Sequence, residues 1–294
     1  MKKYFKLLFI NLAIIICTLF LVEFVSFKIL QSKDPNFKYK FLSKTVEEKI
    51  QEMGYGRGHI HINNGLGSII FFGCCTTDGA SIRNDAGLIS SIFSRLTNRT
   101  VYNRAAAGFG LQHMFYQLKE PVLQNVIDVE PDYIIYTIIR DHYRRLFSNS
   151  SANEPKYLKY KLKDGELIRE KDSLLNRSLL HYLMRQFYCQ NHFDVDLVNL
   201  YLIKSKEEAK RKWPNVKFVV LDFDGIEEFK NNKVLEENGI QVINVQKFAF
   251  GKPIYLLDKK YCADEFCHPS PTYWELVVPG IIEEIGINKN NSKN

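Results

Sequence analysis

The sequence predicts an α/β protein built on a three-layer, doubly wound sheet of five parallel strands. Short apolar segments recur along the chain, and amphipathic helical patterns such as Leu197–Trp213 and Phe229–Asn238 lie between them. This alternation is typical of parallel strands that helices cover on both faces. The candidate strands are Ile69–Phe72, Val101–Asn103, Tyr133–Ile139, Lys217–Leu221 and Gln241–Val245.

The first candidate strand ends in a polar turn that contains two adjacent cysteines. The apolar run Ser68–Phe72 is followed directly by Gly73–Gly79, which includes Cys74 and Cys75, and then by an amphipathic helical pattern. A strand–turn–helix unit of this kind presents a side chain at the carboxyl end of a sheet, close to the amides that begin the helix. We expect that side chain to be Cys75.

Composition and charge restrict the class of protein. The chain has 294 residues, of which 46% are hydrophobic and 25% charged, as expected for one globular domain with appended segments. The net charge of +7 is spread along the chain without a dense basic block, so we expect no nucleic-acid partner. Residues 147–196 interrupt the strand–helix alternation with a hairpin-like pattern and an aromatic-rich helical pattern, and we interpret them as an insertion or cap. The polar tail 288–294 is predicted to be disordered.

The amino terminus predicts a membrane anchor. Three lysines precede a mostly apolar stretch over residues 7–27, which approaches the roughly 20 residues needed to span a bilayer. The alternative is a cleaved secretory signal, but no cleavage site of the Ala-x-Ala type follows. We therefore predict an uncleaved anchor over residues 1–30, one helix over 7–27, and a juxtamembrane segment over 31–65. Lysines also follow the segment, yet the basic head favours residues 30–294 lying outside the cytoplasm, at the cell inner membrane.

Four polar clusters follow predicted strands or precede the last helix. They are Cys74–Cys75, Arg104–Gly108, Arg140–His142 and Asp264–Ser270. The carboxyl ends of parallel strands lie at one edge of a sheet, where ligands of open α/β sheets bind. We therefore expect the four clusters to converge on one site.

At these clusters, residues 66–287 resemble the SGNH/GDSL hydrolase superfamily, in particular bacterial members with a first block of the type Gly-Cys-Ser-Phe-Thr-x-Gly. For the same segment, the strand–helix alternation and the right-handed crossover rule predict strands in flavodoxin-like order. The resemblance places the nucleophilic serine of the family at Cys75, the glycine that binds the oxyanion at Gly108, and the catalytic histidine at His268.

The chain departs from this family pattern in three ways. The nucleophile is cysteine, whose lower pKa would allow an ion pair with histidine. The third block, Gly-x-Asn-Asp in the family, is replaced by residues 139–142, so either His142, which we favour, or Arg140 takes the asparagine position. The family acid lies two or three residues before the histidine, which selects Glu265, whereas Asp264 lies at four; both residues stay candidates for the acid.

The resemblance implies an acyl ester hydrolase or acyltransferase that acts on an acylated carbohydrate or lipid of the cell envelope. It implies no metal or organic cofactor. The alternative is a noncatalytic module of the same fold that binds glycan or supports envelope assembly. In that case Cys75 is a core residue, His268 caps the last helix, and His142 belongs to a solvated loop.

The cysteines permit three further interpretations. A disulfide could join the Cys74–Cys75 pair to the turn that contains Cys262 and Cys267. The pattern Cys262-x4-Cys267-His268 is also a stretched relative of a haem-attachment motif. A zinc site is the third, although the spacing matches no common ligand set.

Overall fold

The computed structural model describes most of the predicted α/β domain and part of the amino-terminal segment. The described residues are 11, 14–15, 17–26, 28–29, 60–61, 67–79, 81–123, 126–147, 160–169, 194–230 and 232–287. Those between 11 and 29 are helical, and no helix within the described ranges has the length and apolar character that crossing a bilayer requires. The anchor over 7–27 lies only partly within the described residues and stays a prediction, and so do the domain boundaries. The tail 288–294 lies outside them.

Eight strands are described, numbered β1 to β8 in chain order. They are Ile60–His61, Ser68–Phe72, Thr100–Asn103, Pro131–Ile138, Tyr160–Lys163, Glu166–Arg169, Lys217–Asp222 and Ile240–Asn244. Six of them form one sheet in the order β1-β3-β2-β4-β7-β8, and the last five of that series are parallel. These five strands confirm the predicted parallel sheet and its flavodoxin-like order. The antiparallel edge strand β1, paired with β3, was not predicted.

Helices cover both faces of the parallel sheet. In chain order, α1 to α7 are Cys75–Asp78, Ile89–Thr97, Leu111–Lys119, Arg140–Phe147, Val195–Lys212, Lys233–Glu237 and Pro271–Ile285. Along β2, Ile69 and Phe71 pack in the cluster that includes α2 and α7, while Ile70 and Phe72 pack in the cluster that includes α3 and α5. Both sides of the strand are thus buried, which explains why it is apolar throughout.

The segment 147–196 contributes a separate hairpin. Strands β5 and β6 pair only with each other within the described residues, and Asp164 and Gly165 join them with φ values of 53° and 78°. Positive φ at both central residues is the requirement of a two-residue type I′ turn. The predicted hairpin is confirmed outside the main sheet, whereas the predicted aromatic-rich helix lies outside the described residues.

Backbone contacts at the carboxyl edge of the sheet fix the loops that follow the strands. The amide of Arg104, just after β3, donates to the carbonyl of Phe71 in β2 at 2.7 Å. The amide of Phe223, just after β7, donates to the carbonyl of Ile138 in β4 at 3.1 Å. The loops that follow β2, β3, β4 and β7 therefore start side by side at the same edge of the sheet, as the predicted site requires.

Candidate active site

The turn over residues 73–79, called the Cys75 turn, is compact. A Cβ atom at Gly73 would lie 2.2 Å from the hydroxyl oxygen of Thr77, so only glycine fits between β2 and α1. The carbonyl of Cys74 accepts hydrogen bonds from the amides of Thr77 at 3.0 Å and Asp78 at 2.8 Å. These bonds close one helical turn directly after the strand. Cys75 is the first residue of that turn and is partly exposed.

The structure brings Cys75 and His268 together, as the sequence predicts. The Cys75 Sγ lies 3.1 Å from His268 Nε2, and His268 Nδ1 lies 2.6 Å from Asp264 Oδ2. With the proton on Nδ1 donated to the carboxylate, Nε2 offers its lone pair to the thiol; this tautomer is inferred from the contacts. A thiol, an imidazole and a carboxylate that contact one another in this order in space have the geometry of general-base catalysis on a nucleophile.

Of the two acids that the sequence left open, Asp264 is the one in this series of contacts. The Asp264 Oδ1 accepts hydrogen bonds from the amides of Phe266 at 3.0 Å and His268 at 3.1 Å, whereas Glu265 is exposed. The loop turns tightly enough to bring Asp264, four positions before His268, into hydrogen-bond contact with the imidazole. Ser81, which sequence reasoning missed, donates its hydroxyl to Asp264 Oδ2.

The charge of Asp264 is stabilised by these contacts. Burial raises the pKa of its carboxyl, but the hydrogen bonds from Ser81 and His268 outweigh that effect and lower the pKa to about 2. Asp264 is therefore ionised at neutral pH. In this state it can hold the imidazole in one tautomer and stabilise a positive charge on it.

A disulfide closes the loop over residues 262–269, called the His268 loop. Cys262 and Cys267 are bonded, with their Cα atoms 4.4 Å apart, and the amide of Ala263 donates to the carbonyl of His268 at 2.7 Å. The predicted alternative of a disulfide to the Cys75 turn is wrong, because Cys262 and Cys267 bond each other. For the same reason neither sulfur is available for haem attachment. Among the described residues, no group of three or more His, Cys, Asp or Glu side chains could hold a metal ion.

The second cysteine of the turn lies directly beside Cys75. The two sulfurs are 3.8 Å apart, and Cys74 is 1% exposed. The hydrogen bond between the thiols lowers the pKa of Cys74, and the same contact together with burial raises the pKa of Cys75 above its ordinary value. The expected thiolate–imidazolium pair is therefore disfavoured at rest. Cys75 rests as a thiol, and a base has to take its proton during a reaction.

His142 lies on the buried side of the turn, contrary to the prediction that it faces the open site. Its side chain is 0% exposed, and its Nδ1 lies 2.7 Å from the hydroxyl of Tyr136. Together with Arg145, it lowers the pKa of Cys74. Arg145 is also buried and donates to the carbonyl of Phe109 at 2.5 Å. The alternative of a solvated loop for His142 is wrong, because its side chain is fully buried.

Gly108 and Arg140 lie on the segments that follow β3 and β4, with Gly108 half-buried and Arg140 exposed. Gly108 has a φ of 84° inside a turn closed by the amide of Phe109 and the carbonyl of Ala106 at 3.0 Å, which explains the glycine. Arg140 is exposed after β4, and its amide donates to Asp224 Oδ2 at 2.6 Å. Sequence reasoning missed Asp224. Of the two candidates in the third block, Arg140 is the one that faces solvent.

Comparison with known proteins gives fold-level similarity alone. No family model and no curated protein matches the chain. Similar solved structures include an acetyl xylan esterase from the rumen bacterium Butyrivibrio proteoclasticus, with 11% identity, a TM-score of 0.43, and coverage of 76% of this chain and 65% of that one. A protein described as a GDSL-like lipase from Parabacteroides merdae has 18% identity, a TM-score of 0.43, and coverage of 76% and 96%. TesA has 9% identity, a TM-score of 0.45, and coverage of 74% and 97%.

The match spans just under two thirds of the length of the esterase. At these identities and TM-scores, the likeness says nothing about activity or substrate.

Proposed function

We propose that this chain is a membrane-anchored acyl ester hydrolase or acyltransferase that acts on an acylated carbohydrate or lipid of the cell envelope. The observation that carries the proposal is the unbroken series of contacts from Cys75 through His268 to Asp264. Each member occupies the place that its chemistry requires: nucleophile, base and orienting acid.

In the proposed first half-reaction, His268 Nε2 takes the thiol proton while Cys75 Sγ attacks the acyl carbon. Asp264 stabilises the resulting imidazolium. The ester C–O bond then breaks, and the imidazolium returns the proton to the leaving alkoxide, which departs as an alcohol. The product on the enzyme is a thioester at Cys75.

In the second half-reaction, water or an acceptor hydroxyl attacks the thioester. His268 removes the proton of the attacking oxygen and later gives it to the departing Cys75 sulfur, which restores the thiol. Water as the acceptor gives a carboxylic acid, and an alcohol gives a transferred ester. The same residues therefore serve hydrolysis and transfer, and access of the acceptor decides between them.

The oxyanion formed in each step requires hydrogen-bond donors. We assign the backbone amides of Cys75 and Gly108 to this role, as the family resemblance implies. For the third donor we favour Arg140 over His142, since Arg140 is exposed after β4 and His142 is fully buried. A guanidinium would also add a positive charge at the place where negative charge develops.

We further propose that residues 7–27 anchor the domain in the inner membrane, with the domain outside the cytoplasm. Large apolar side chains are exposed on the described helical residues of this segment: Ile14, Ile15, Leu19, Phe20, Leu21, Phe24 and Val25. Exposed apolar surface of this extent favours contact with lipid over water.

The proposal is tested by hydrolysis of an aryl acetate by the purified full-length chain in detergent. We expect activity that a thiol-blocking reagent abolishes, that Cys75→Ala removes, and that Cys75→Ser partly retains because His268 remains in place. Glu265→Gln serves as the matched control, since that carboxyl is exposed beside the site. If neither the parent nor Cys75→Ala turns over aryl or carbohydrate esters, the noncatalytic binding module replaces this proposal. Equal turnover by the two proteins would exclude Cys75 as the nucleophile and overturn the mechanism.

A further inference from the structure

The Cys75 turn contains a second thiol that the proposed acyl chemistry does not use. Cys74 Sγ lies 3.8 Å from Cys75 Sγ, and within the described residues these two cysteines and Cys17 are free thiols. A thiol at this distance from a nucleophilic sulfur can react with it after only small movements.

The two thiols differ in their access to solvent. Cys75 is partly exposed beside His268, whereas Cys74 is buried, with 1% of its surface exposed. A small oxidant can therefore reach Cys75 first, and His268 can accept the proton that the attacking sulfur must lose. Cys74 is protected from direct oxidation by its burial.

The surroundings of Cys74 suit a second, resolving step. The hydrogen bond from Cys75 lowers the pKa of Cys74, and the buried side chains of His142 and Arg145 act in the same direction. The thiolate is the nucleophilic form of cysteine. Cys74 is thus prepared to attack an oxidised sulfur at Cys75.

We propose that Cys74 and Cys75 form a reversible oxidation site for peroxides, in which Cys74 resolves the oxidised Cys75 into a vicinal disulfide. In the first step the Cys75 thiol and a hydroperoxide give a sulfenic acid and water or an alcohol. In the second step Cys74 attacks the sulfenic sulfur, the S–S bond forms, and the hydroxyl leaves as water. Together the two thiols lose two electrons, and these electrons reduce the peroxide.

Such a bond would be easily reversed. Adjacent Cα atoms are about 3.8 Å apart, below the usual disulfide range of about 4.4–6.8 Å, so the bond carries strain and is readily reduced by thiols. The Cα atoms of Cys262 and Cys267 are 4.4 Å apart and lie within that range. We therefore expect mild reduction to restore the Cys74–Cys75 pair and leave the disulfide of the His268 loop closed. This inference shares Cys75 with the proposed function, but it is tested without measuring acyl transfer.

The test is mass spectrometry of the full-length chain after graded hydrogen peroxide, in a background where Cys17→Ser and Cys189→Ser remove the two cysteines that lie outside the pairs 74–75 and 262–267. Trypsin separates the two cysteine pairs, because residues 58–83 contain Cys74 and Cys75 and residues 261–289 contain Cys262 and Cys267. We expect peptide 58–83 to lose two hydrogen atoms and to regain them after mild thiol treatment.

The matched variant is Cys74→Ser, which keeps the thiol at position 75. We expect its peptide 58–83 to gain two or three oxygen atoms irreversibly, because no resolving thiol is present. If the unsubstituted pair is oxidised in the same irreversible way, or stays reduced when Cys74→Ser is oxidised, the proposal is overturned. A cross-link between the two peptides also overturns it, in favour of exchange with the disulfide of the His268 loop. If Cys74→Ser fails to fold, the parent peptide still decides: a reversible loss of two hydrogen atoms supports the proposal, whereas irreversible gain of oxygen or two thiols that stay reduced overturn it.

Discussion

The two halves of the candidate site are held in place by different means. The Cys75 turn is attached to a buried strand, and its neighbours Cys74 and His142 are almost completely buried. In the His268 loop, the side chains of His268 and Asp264 are 24% and 23% exposed, and a disulfide and local hydrogen bonds hold them. The sheet and core therefore position the nucleophile, while a cross-linked surface loop positions the base and the acid.

The largest expected effect concerns the acid in the loop. Asp264→Asn should lower kcat for an aryl ester by on the order of 10⁴-fold, because an amide no longer fixes the imidazole tautomer or its charge. Glu265→Gln, its neighbour and matched control, should remain within about twofold of the parent. Steady-state kinetics of the two purified variants checks this. Equal losses, or a larger loss for Glu265→Gln, would mean that the loop adopts a different register during catalysis.

The next effect concerns which residue of the third block faces the substrate. Arg140→Gln should lower kcat by about 10²-fold if its guanidinium stabilises the oxyanion. His142→Asn should act mainly on stability, since its ring is buried against Tyr136. The two variants are compared by kcat and by urea unfolding. A kcat loss confined to His142→Asn would return the oxyanion role to the buried side of the turn.

A smaller effect is expected from opening the loop. Replacing Cys262 and Cys267 together by serine should lower the free energy of unfolding by about 2 kcal/mol, as estimated for so short a closed loop. It should also lower kcat by roughly tenfold, because His268 and Asp264 lose part of their fixed geometry. Unfolding curves and kinetics measure both. An unchanged kcat would show that the hydrogen bonds alone position the base.

The smallest effect is the dependence of the free energy of unfolding on pH in the acid range. The pKa of Asp264 is lowered from its ordinary 3.8 to about 2, so its contribution is fully present above the ordinary value and is lost as pH falls through about 2. For a group this exposed, the difference should be less than about 1 kcal/mol. Unfolding at pH 5 and pH 2 should show a larger loss for the parent than for Asp264→Asn. Equal losses would contradict the assigned pKa.

The difference between the Cys75 turn, held by the sheet, and the His268 loop, held by a disulfide, also explains what the sequence could predict. The parallel strands and the place of Cys75 follow from local patterns of apolar residues and glycine, and the structure confirms them. The choice of Asp264 depends on the closed disulfide and on the φ of 58° at Cys267, which no spacing rule contains. The position of His142 could not be assigned correctly, because the first three residues of α4 are all polar. Only the packing shows which of them turns inward. Strand β1 has two residues and a distant partner, too little for a local signal.

The direction of β1 determines from which side the amino-terminal segment reaches the domain. Ile60 pairs with Tyr102 and His61 with Val101, so β1 starts near the carboxyl end of β3 and runs back along it. Residue 60 therefore lies toward the edge of the sheet where the loop carrying Cys75 begins. If residues 7–27 lie in a bilayer, roughly 30 residues tether that edge to it, a reach of at most about 100 Å. The attachment point would favour substrates on the side of the domain that faces the tether.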